Sequence, residues 1–351
     1  MLIHNVNMTH LTLKIISIII LLSLLSCTKE DNTDCTAELI LKYSYEHNKQ
    51  NTDLFGPNVQ YVKMYIFDEN HILQYIDSGK GSELVNGWFK RISLPPGKYA
   101  VVSWAGSNTE FYNSFFDAHM NDASTHNFSG EAVIGQTTLS DFRIIVNHQL
   151  AEMYEEDVIL PMDTLDELYY GAFQESIEVK PNQTTVREVP LIKNTNLLRV
   201  TIEGIEHLSG YTKASNDSPL EVYTAAKNGR YMYDNSIDEF ARVIRYEAPY
   251  TIKNDSSIVT EIKVLRLDLE HHTANPVKLF INHKQTKSAV AAIDVIESIL
   301  KAKDLRGNYL INNQSDLDKE DLFEFKIQIN TDLSVNLFVN GWSIQQSKPE
   351  V

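Results

Sequence analysis

Apolar and polar positions alternate along most of this chain. In residues 37–45, Leu39, Leu41, Tyr43 and Tyr45 fall on one side of an extended backbone, the period-two signature of a half-buried strand. Residues 59–67 (VQYVKMYIF) read the same way, with a turn at Asp68-Glu69-Asn70 and a returning hairpin partner at 71–76. Residues 88–94 and 98–105 flank Pro95-Pro96-Gly97, where prolines that cannot donate ladder hydrogen bonds enforce a turn. These segments predict a sheet with hairpin connections. From 107 to 158 the pattern is less regular. Residues 110–120 and 139–150 fit short helices or loop-covered strands, and periodicity does not separate the two over such lengths. Residues 165–173 are apolar enough to pack across a sandwich end, and 175–180 and 185–192 resume strand character around Pro181-Asn182.

In the second half, strands are predicted at 197–203, 220–226, 259–269, 277–282, 322–330 and 334–340. Residues 289–302 form the clearest helical pattern, with Val290, Ile293, Val295, Ile296 and Leu300 crowding one side. No internal sequence repeat is visible. Many alternating strands beside one helix predict a mainly β chain made of two tandem β-sandwich domains, 37–192 and 193–351, the second opening at Asn194-Thr195-Asn196.

The amino terminus departs from this pattern. Residues 15–26 are uncharged and as a helix would span about 18 Å, well short of a bilayer core. A lone Lys14 before the run and Leu24-Leu25-Ser26-Cys27 at its end resemble a secretory signal closed by a lipobox, with residues 1–26 removed and 27–36 left as a lipidated linker. Translation from Met8 would leave a compact signal of the same kind. The chemistry requires Cys27: its thiolate can take a diacylglyceryl group as a thioether. Two ester chains and an amide-linked chain exceed the marginal hold of a single acyl group. The alternative is an ordinary cleaved signal with Cys27 incidental. Lys29, Glu30 and Asp31 resemble the lysine-plus-acidic tag that sends Bacteroidales lipoproteins to the outer face of the outer membrane; otherwise they are a solvated linker. Cys35 then has no partner in the chain, so neither a disulfide nor a thiolate metal site is expected.

Charge narrows the partners. Without residues 1–26 the chain carries 30 Lys plus Arg against 47 Asp plus Glu, a net of −17. Such a surface repels nucleic acid and anionic headgroups, so membrane attachment falls to the lipid. Catalytic signals are weak. There is no GxSxG, HExxH or P-loop, and Ser298-Ile299-Leu300-Lys301 matches SxxK on an apolar helical face. His271-His272, read as strand neighbours, would face opposite ways and not share a metal. Asp316, Asp318 and Glu320 mimic the start of an EF-hand, but Asp321 stands where glycine is needed and Ile327 where glutamate is; a short, acidic, solvated helical turn accounts for them. Asn127-Phe128-Ser129 and Asn182-Gln183-Thr184 fit the N-glycosylation pattern, and Asp163-Thr164-Leu165 resembles the Bacteroidales O-glycosylation triplet.

A series of blocks then carries a wider resemblance. The lipobox cysteine, the second cysteine Cys35, VKMYIFDEN (62–70), SLPPGKYAVVSWAG (93–106), KNTNLLRVTIEGI (193–205), NGRYMYDNS (228–236), YEAPY (246–250), LDKEDLFEFKIQI (317–329) and VNGWSI (339–344) together resemble, in this order, the FimB-like fimbrillin-A-associated anchor family. The resemblance implies two transthyretin-like β-sandwich domains in an outer-membrane lipoprotein that anchors fimbriae and limits their length. It also implies a fimbrillin partner, no cofactor, no small-molecule substrate and no enzymatic activity. An open sheet edge suits that role, because its unpaired N–H and C=O groups accept an extended segment of another subunit. Asn340-Gly341 between apolar runs signals a tight turn and places Trp342 on the returning edge strand, so Val339, Asn340, Gly341 and Trp342 are the candidate contact edge. The competing reading makes Trp342 core, as Trp104 is expected to be. The alternative function is a surface lipoprotein acting as an adhesin or as a glycan or host-ligand binding module.

Overall fold

The computed structural model describes residues 37–110, 113–122, 127–150, 158–161, 165–213, 217–304 and 306–347. Cys27, Lys29, Glu30, Asp31, Cys35, Asp163 and Thr164 lie outside them. The protein is mainly β. The first half contributes β1 (Ala37–Ser44), β2 (Tyr61–Phe67), β3 (Leu73–Lys80), β4 (Phe89–Leu94), β5 (Gly97–Gly106), β6 (Phe115–Asp122), β7 (Asn127–Gly130), β8 (Phe142–Val146), β9 (His148–Leu150), β10 (Val158–Pro161), β11 (Leu168–Val179), β12 (Thr184–Pro190) and β13 (Ile192–Lys193). The second contributes β14 (Thr195–Glu203), β15 (Leu220–Ala226), β16 (Arg230–Met232), β17 (Val243–Glu247), β18 (Thr251–Lys253), β19 (Ser257–Leu265), β20 (Lys278–His283), β21 (Ala289–Asp294), β22 (Leu322–Ile329), β23 (Val335–Val339) and β24 (Trp342–Ser347).

In the first sandwich, the sheet β12-β1-β4 faces the sheet β13-β11-β5-β2-β3. Leu39, Leu41 and Tyr43 of β1 meet Val62, Met64 and Ile66 of β2 and Val101 of β5 in one buried cluster. The second sheet is covered on both sides. Its other face carries Tyr65, Phe67, Val102, Trp104 and Tyr170 into a separate core under a third sheet, β16-β8-β6-β7. Two covered faces explain why β2 and β5 are nearly continuously apolar rather than alternating. Trp104 is fully buried, its ring 5.0 Å from Tyr170 and 6.0 Å from Tyr231.

In the second sandwich, β18-β19-β14-β22-β23-β24 faces β21-β20-β15-β17-β10-β9. Leu198, Val200 and Ile202 interlock there with Phe323, Phe325, Ile327, Leu279 and Ile281. Two sheets draw strands from both sides of residue 193, since β10 pairs with β17 and β16 with β8. On the outer face of the β14 sheet, Arg199 bridges Glu261 at 2.7 Å and Glu324 at 3.2 Å, and the Tyr250 hydroxyl donates to Glu261 at 2.6 Å. The Tyr250 hydrogen bond and the Arg199 guanidinium hold the Glu261 carboxyl below its ordinary 4.5. Because the folded value is the lower one, its stabilisation is present above 4.5 and fades as pH falls through the depressed value. Glu261→Gln should therefore flatten the acid limb of melting temperature against pH and leave the neutral slope unchanged.

The two sandwiches are wired alike. β1 lies between antiparallel β4 and parallel β12, and β14 lies between antiparallel β19 and parallel β22. The facing sheets run β11-β5-β2-β3 and β21-β20-β15-β17, the same order of equivalent strands. The first half inserts β6 to β10 into this plan, and the second adds the hairpin β23-β24 beyond β22.

Several expectations are corrected. The predicted helix at 289–302 is strand β21 followed by a shorter helix, Val295–Lys301. Pro95-Pro96 does not close a hairpin: β4 and β5 belong to opposite sheets, and the turn crosses the sandwich. The segments left open between helix and strand at 110–120 and 139–150 contain strands β6, β8 and β9. Leu168–Val179 is not an end plug but an interior strand, between β13 and β5.

Candidate functional site

Partner contact by strand pairing needs an edge with free backbone groups and no side chain that repels a neighbour. Among the described residues the five sheets offer ten edges, and most are short or guarded. β7, β9, β13, β16 and β18 have two to four residues each. β3 carries Asp77 and Lys80, and β4 carries Lys90 and Arg91. β12 ends in Pro190 and carries exposed Arg187 and Glu188. β21 is uncharged up to its terminal Asp294, and the helix Val295–Lys301 begins at once after it. β24 (WSIQQS) has neither charge nor proline, and a bulge at Ile344 is the one irregularity in its pairing with β23.

The chain builds this edge through one turn. Asn340 and Gly341 adopt φ of 48° and 84°, a pair of left-handed residues that fits the right-handed twist of a two-residue hairpin. The Asn340 N–H donates to the Glu324 carbonyl at 2.8 Å, and its side-chain oxygen accepts from the Glu324 N–H at 2.9 Å, tying the turn to β22. Val339 and Trp342 flank the turn as cross-strand partners. In such a hairpin the flanking pair is the hydrogen-bonded one, so the backbone groups of Ser343, the next residue, point to the open side.

The four sequence-chosen residues thus sit together in different roles. Val339 is fully buried and completes the core with Val335 and Leu337. Asn340 and Gly341 form the turn. Trp342 is half-buried on the same face as Val339, at the rim of the core. Sequence reading missed Ser343, although a fixed turn dictates which backbone groups follow it.

The junction between the sandwiches lies at the same end of the β14 sheet. The Lys193 ammonium lies 2.6 Å from Glu167 and 3.0 Å from Asp321. Asn194 and Asn235 exchange side-chain hydrogen bonds, while the Asn194 N–H donates to Leu168 at 2.6 Å. Lys49 pairs with Glu320 at 2.7 Å. A third connection, Arg143 with Asp238 at 2.7 Å, joins β8 to the segment after β16.

The chemical candidates separate. Ser298 is buried and donates to the Asp294 carbonyl at 2.6 Å, while Lys301 pairs with Glu297 at 3.1 Å. His271 and His272 lie in a turn, not a strand, with ring nitrogens 2.8 Å from Asp268 and 2.5 Å from the Leu269 carbonyl. Asp318 is buried rather than solvated and binds Arg266 through two bonds of 2.8 Å. Asp316 accepts from the Asn312 N–H at 3.0 Å. A concavity of about 460 Å³ collects Asp234, Asp268, Glu270 and His271 around Arg266. Among the described residues no group of three or more His, Cys, Asp or Glu is placed to hold a metal ion. No helix among them is long and apolar enough to cross a membrane.

Comparison with known proteins gives a consistent picture. The fold is similar to that of the fimbrial anchor protein Mfa2 from Porphyromonas gingivalis, at 18% identity over 89% of this chain and 99% of that one, with a TM-score of 0.65. It is also similar to a candidate polysaccharide-binding protein from Bacteroides thetaiotaomicron, at 20% identity over 88% of this chain and 97% of that one, with a TM-score of 0.67. A candidate adhesin from Bacteroides ovatus gives 20% identity over 88% and 94%, with a TM-score of 0.66. At these identities the superpositions show a shared fold and nothing beyond it. No curated protein matches the sequence. The profile of the fimbrillin-A associated anchor proteins Mfa1 and Mfa2 matches residues 32–348, nearly all of the chain that follows the apolar amino terminus. The chain belongs to the family of fimbrillin-A-associated anchor proteins.

Proposed function

We propose that this protein is a fimbrial anchor subunit, tied to the outer membrane by lipid on Cys27 and holding a fimbrillin by strand pairing along β24. Lys29, Glu30 and Asp31 serve as the signal for the cell exterior. The observation that carries the reading is the edge itself: β24 is uncharged and proline-free, and among the described residues its sheet ends there. A partner strand would extend that sheet by main-chain hydrogen bonds, with alternate side chains supplying specificity. Nine residues separate Cys27 from β1, a reach of about 35 Å when extended, so the first sandwich stands nearest the membrane. A subunit fixed to lipid at one end and joined at one edge ends head-to-tail growth, which makes anchoring and length limitation consequences of one geometry.

The test is capture of a fimbrillin by the intact protein, compared with Ser343→Pro. Proline removes an outward N–H and places its ring against an incoming strand, at a position where the chain's own ladder loses nothing. Capture should fall at least about tenfold, equivalent to about 1.4 kcal/mol, with an unchanged melting temperature, while Ser343→Ala should capture normally. Equal capture by the proline and alanine variants would reject pairing at this edge. Deleting the gene should release filaments into the medium or change their length; filaments that stay cell-bound at normal length would reject the anchor role.

A further inference from the structure

We infer that the outer face of the sheet β21-β20-β15-β17 holds a subsite for one pyranose ring of a neutral oligosaccharide, in the slot beside Phe280 and above Ala292. On that face Tyr223 lies opposite Phe280, and Phe280 opposite Ala292, so the three residues form one row across β15, β20 and β21. The Tyr223 and Phe280 rings are stacked with centroids 5.0 Å apart and planes at 20°. This separation is close to the spacing of about 4.8 Å between strands, so each ring stands upright over its own strand. The Arg245 guanidinium covers the other face of Tyr223, 3.6 Å from the ring centroid. Glu221 and Glu247 hold it there, each at 2.9 Å. The row therefore runs guanidinium, phenol, phenyl, and then stops.

At the next position stands a methyl group. Ala292 is exposed, as is Ala289, its neighbour on the same face of β21. Phe280, partly buried, thus has no ring beside it on the edge strand β21, and a saturated six-membered ring stacked on its plane would stand about one strand spacing away, over Ala292. Lys278 and Asn282 lie two residues either side of Phe280 on the same face, each about 7 Å along the strand. Asp294 stands opposite Lys278 across β21, so the charges flanking the gap offset each other. An apolar plane ringed by an amine, an amide and a carboxylate matches a sugar, whose C–H face is apolar and whose hydroxyls radiate from its rim. Local neutrality, on a chain of net charge −16, points to an uncharged saccharide rather than a nucleotide or an anionic headgroup.

The experiment is saturation-transfer NMR and calorimetry on the intact mature protein with maltohexaose, cellohexaose, xylohexaose and mannohexaose as probes. At least one should bind with a Kd of about 1 mM. Phe280→Ala should weaken it at least about tenfold. Ala292→Phe, which adds the missing plate and fills the slot, should weaken it equally with an unchanged melting temperature. The subsite is overturned if no probe binds at roughly 10 mM, or if both variants bind as the parent does. It is also overturned if Ala292→Phe abolishes fimbrillin capture and not sugar binding, because the slot would then receive a protein side chain. Ser343→Pro should leave sugar binding intact, so failure here and failure of the anchor reading are read separately.

Discussion

With Cys27 replaced by serine, the protein should leave the membrane fraction and fimbriae should be shed with it. A hydroxyl cannot stand in for the thiolate that forms the thioether, so lipidation fails at its first step. The lost hold is large. Each buried methylene contributes about 0.8 kcal/mol, and three acyl chains bury dozens, whereas a single chain gives only marginal, reversible binding. No described helix is long and apolar enough to cross a membrane, and the net charge repels anionic headgroups. Labelled palmitate on the parent and its absence from Cys27→Ser, together with fractionation, check the result. A serine variant that stays with the membrane would place the tether elsewhere.

Asp238→Ala should destabilise the fold by about 3–5 kcal/mol, because it removes the buried carboxylate that pairs with two guanidiniums. Asp238 is 3% exposed and sits 2.7 Å from Arg143, itself 6% exposed, and 3.3 Å from Arg230. Burial pushes the Arg230 pKa below its ordinary value, and Asp238 opposes that shift. Arg143 is on β8 and Arg230 on β16, strands from either half of the chain that pair in one sheet. Losing their shared carboxylate therefore weakens a link between the halves as well as a local contact. Measured against a typical total of 5–15 kcal/mol, the loss is severe. Denaturant midpoints should show it, with Asp238→Asn milder because the amide oxygen still accepts a hydrogen bond. A midpoint unchanged in Asp238→Ala would mean that the cluster contributes nothing to stability.

What the sequence made legible was chemistry confined to neighbouring residues. Asn340-Gly341 announced its turn because few other residues tolerate two consecutive positive φ angles, and from the turn followed the edge strand. The helix at 289–302 was misread because Ala289, Ala291 and Ala292 suit a helix, and pairing with β20 overrides them. A better signal was present: Asp294 accepts from the Glu297 N–H at 2.9 Å, a cap that marks where the helix starts. Asp318 looked solvated because its partner, Arg266, is 52 positions away. The same limit hid the pairing of β8 with β16 and the parallel pairing of β1 with β12, which joins residues more than a hundred positions apart. The repeated wiring was equally invisible, since topology persists where side chains have diverged.

That wiring has a mechanical meaning. On the proposed lipid tether, tension would enter the first sandwich at Ala37, at the start of β1, and leave at Pro190, at the end of β12, toward the second sandwich. These strands are parallel neighbours over seven residue pairs, from Glu38 with Thr184 to Ser44 with Pro190. Pulled from opposite ends, such a pair loads all its rungs in shear at once, whereas a hairpin pulled at its open end unzips rung by rung. β14 and β22 repeat the arrangement over seven pairs, from Leu197 with Leu322 to Glu203 with Gln328. Drag on a filament would meet the β1–β12 shear clamp before the first sandwich could come apart.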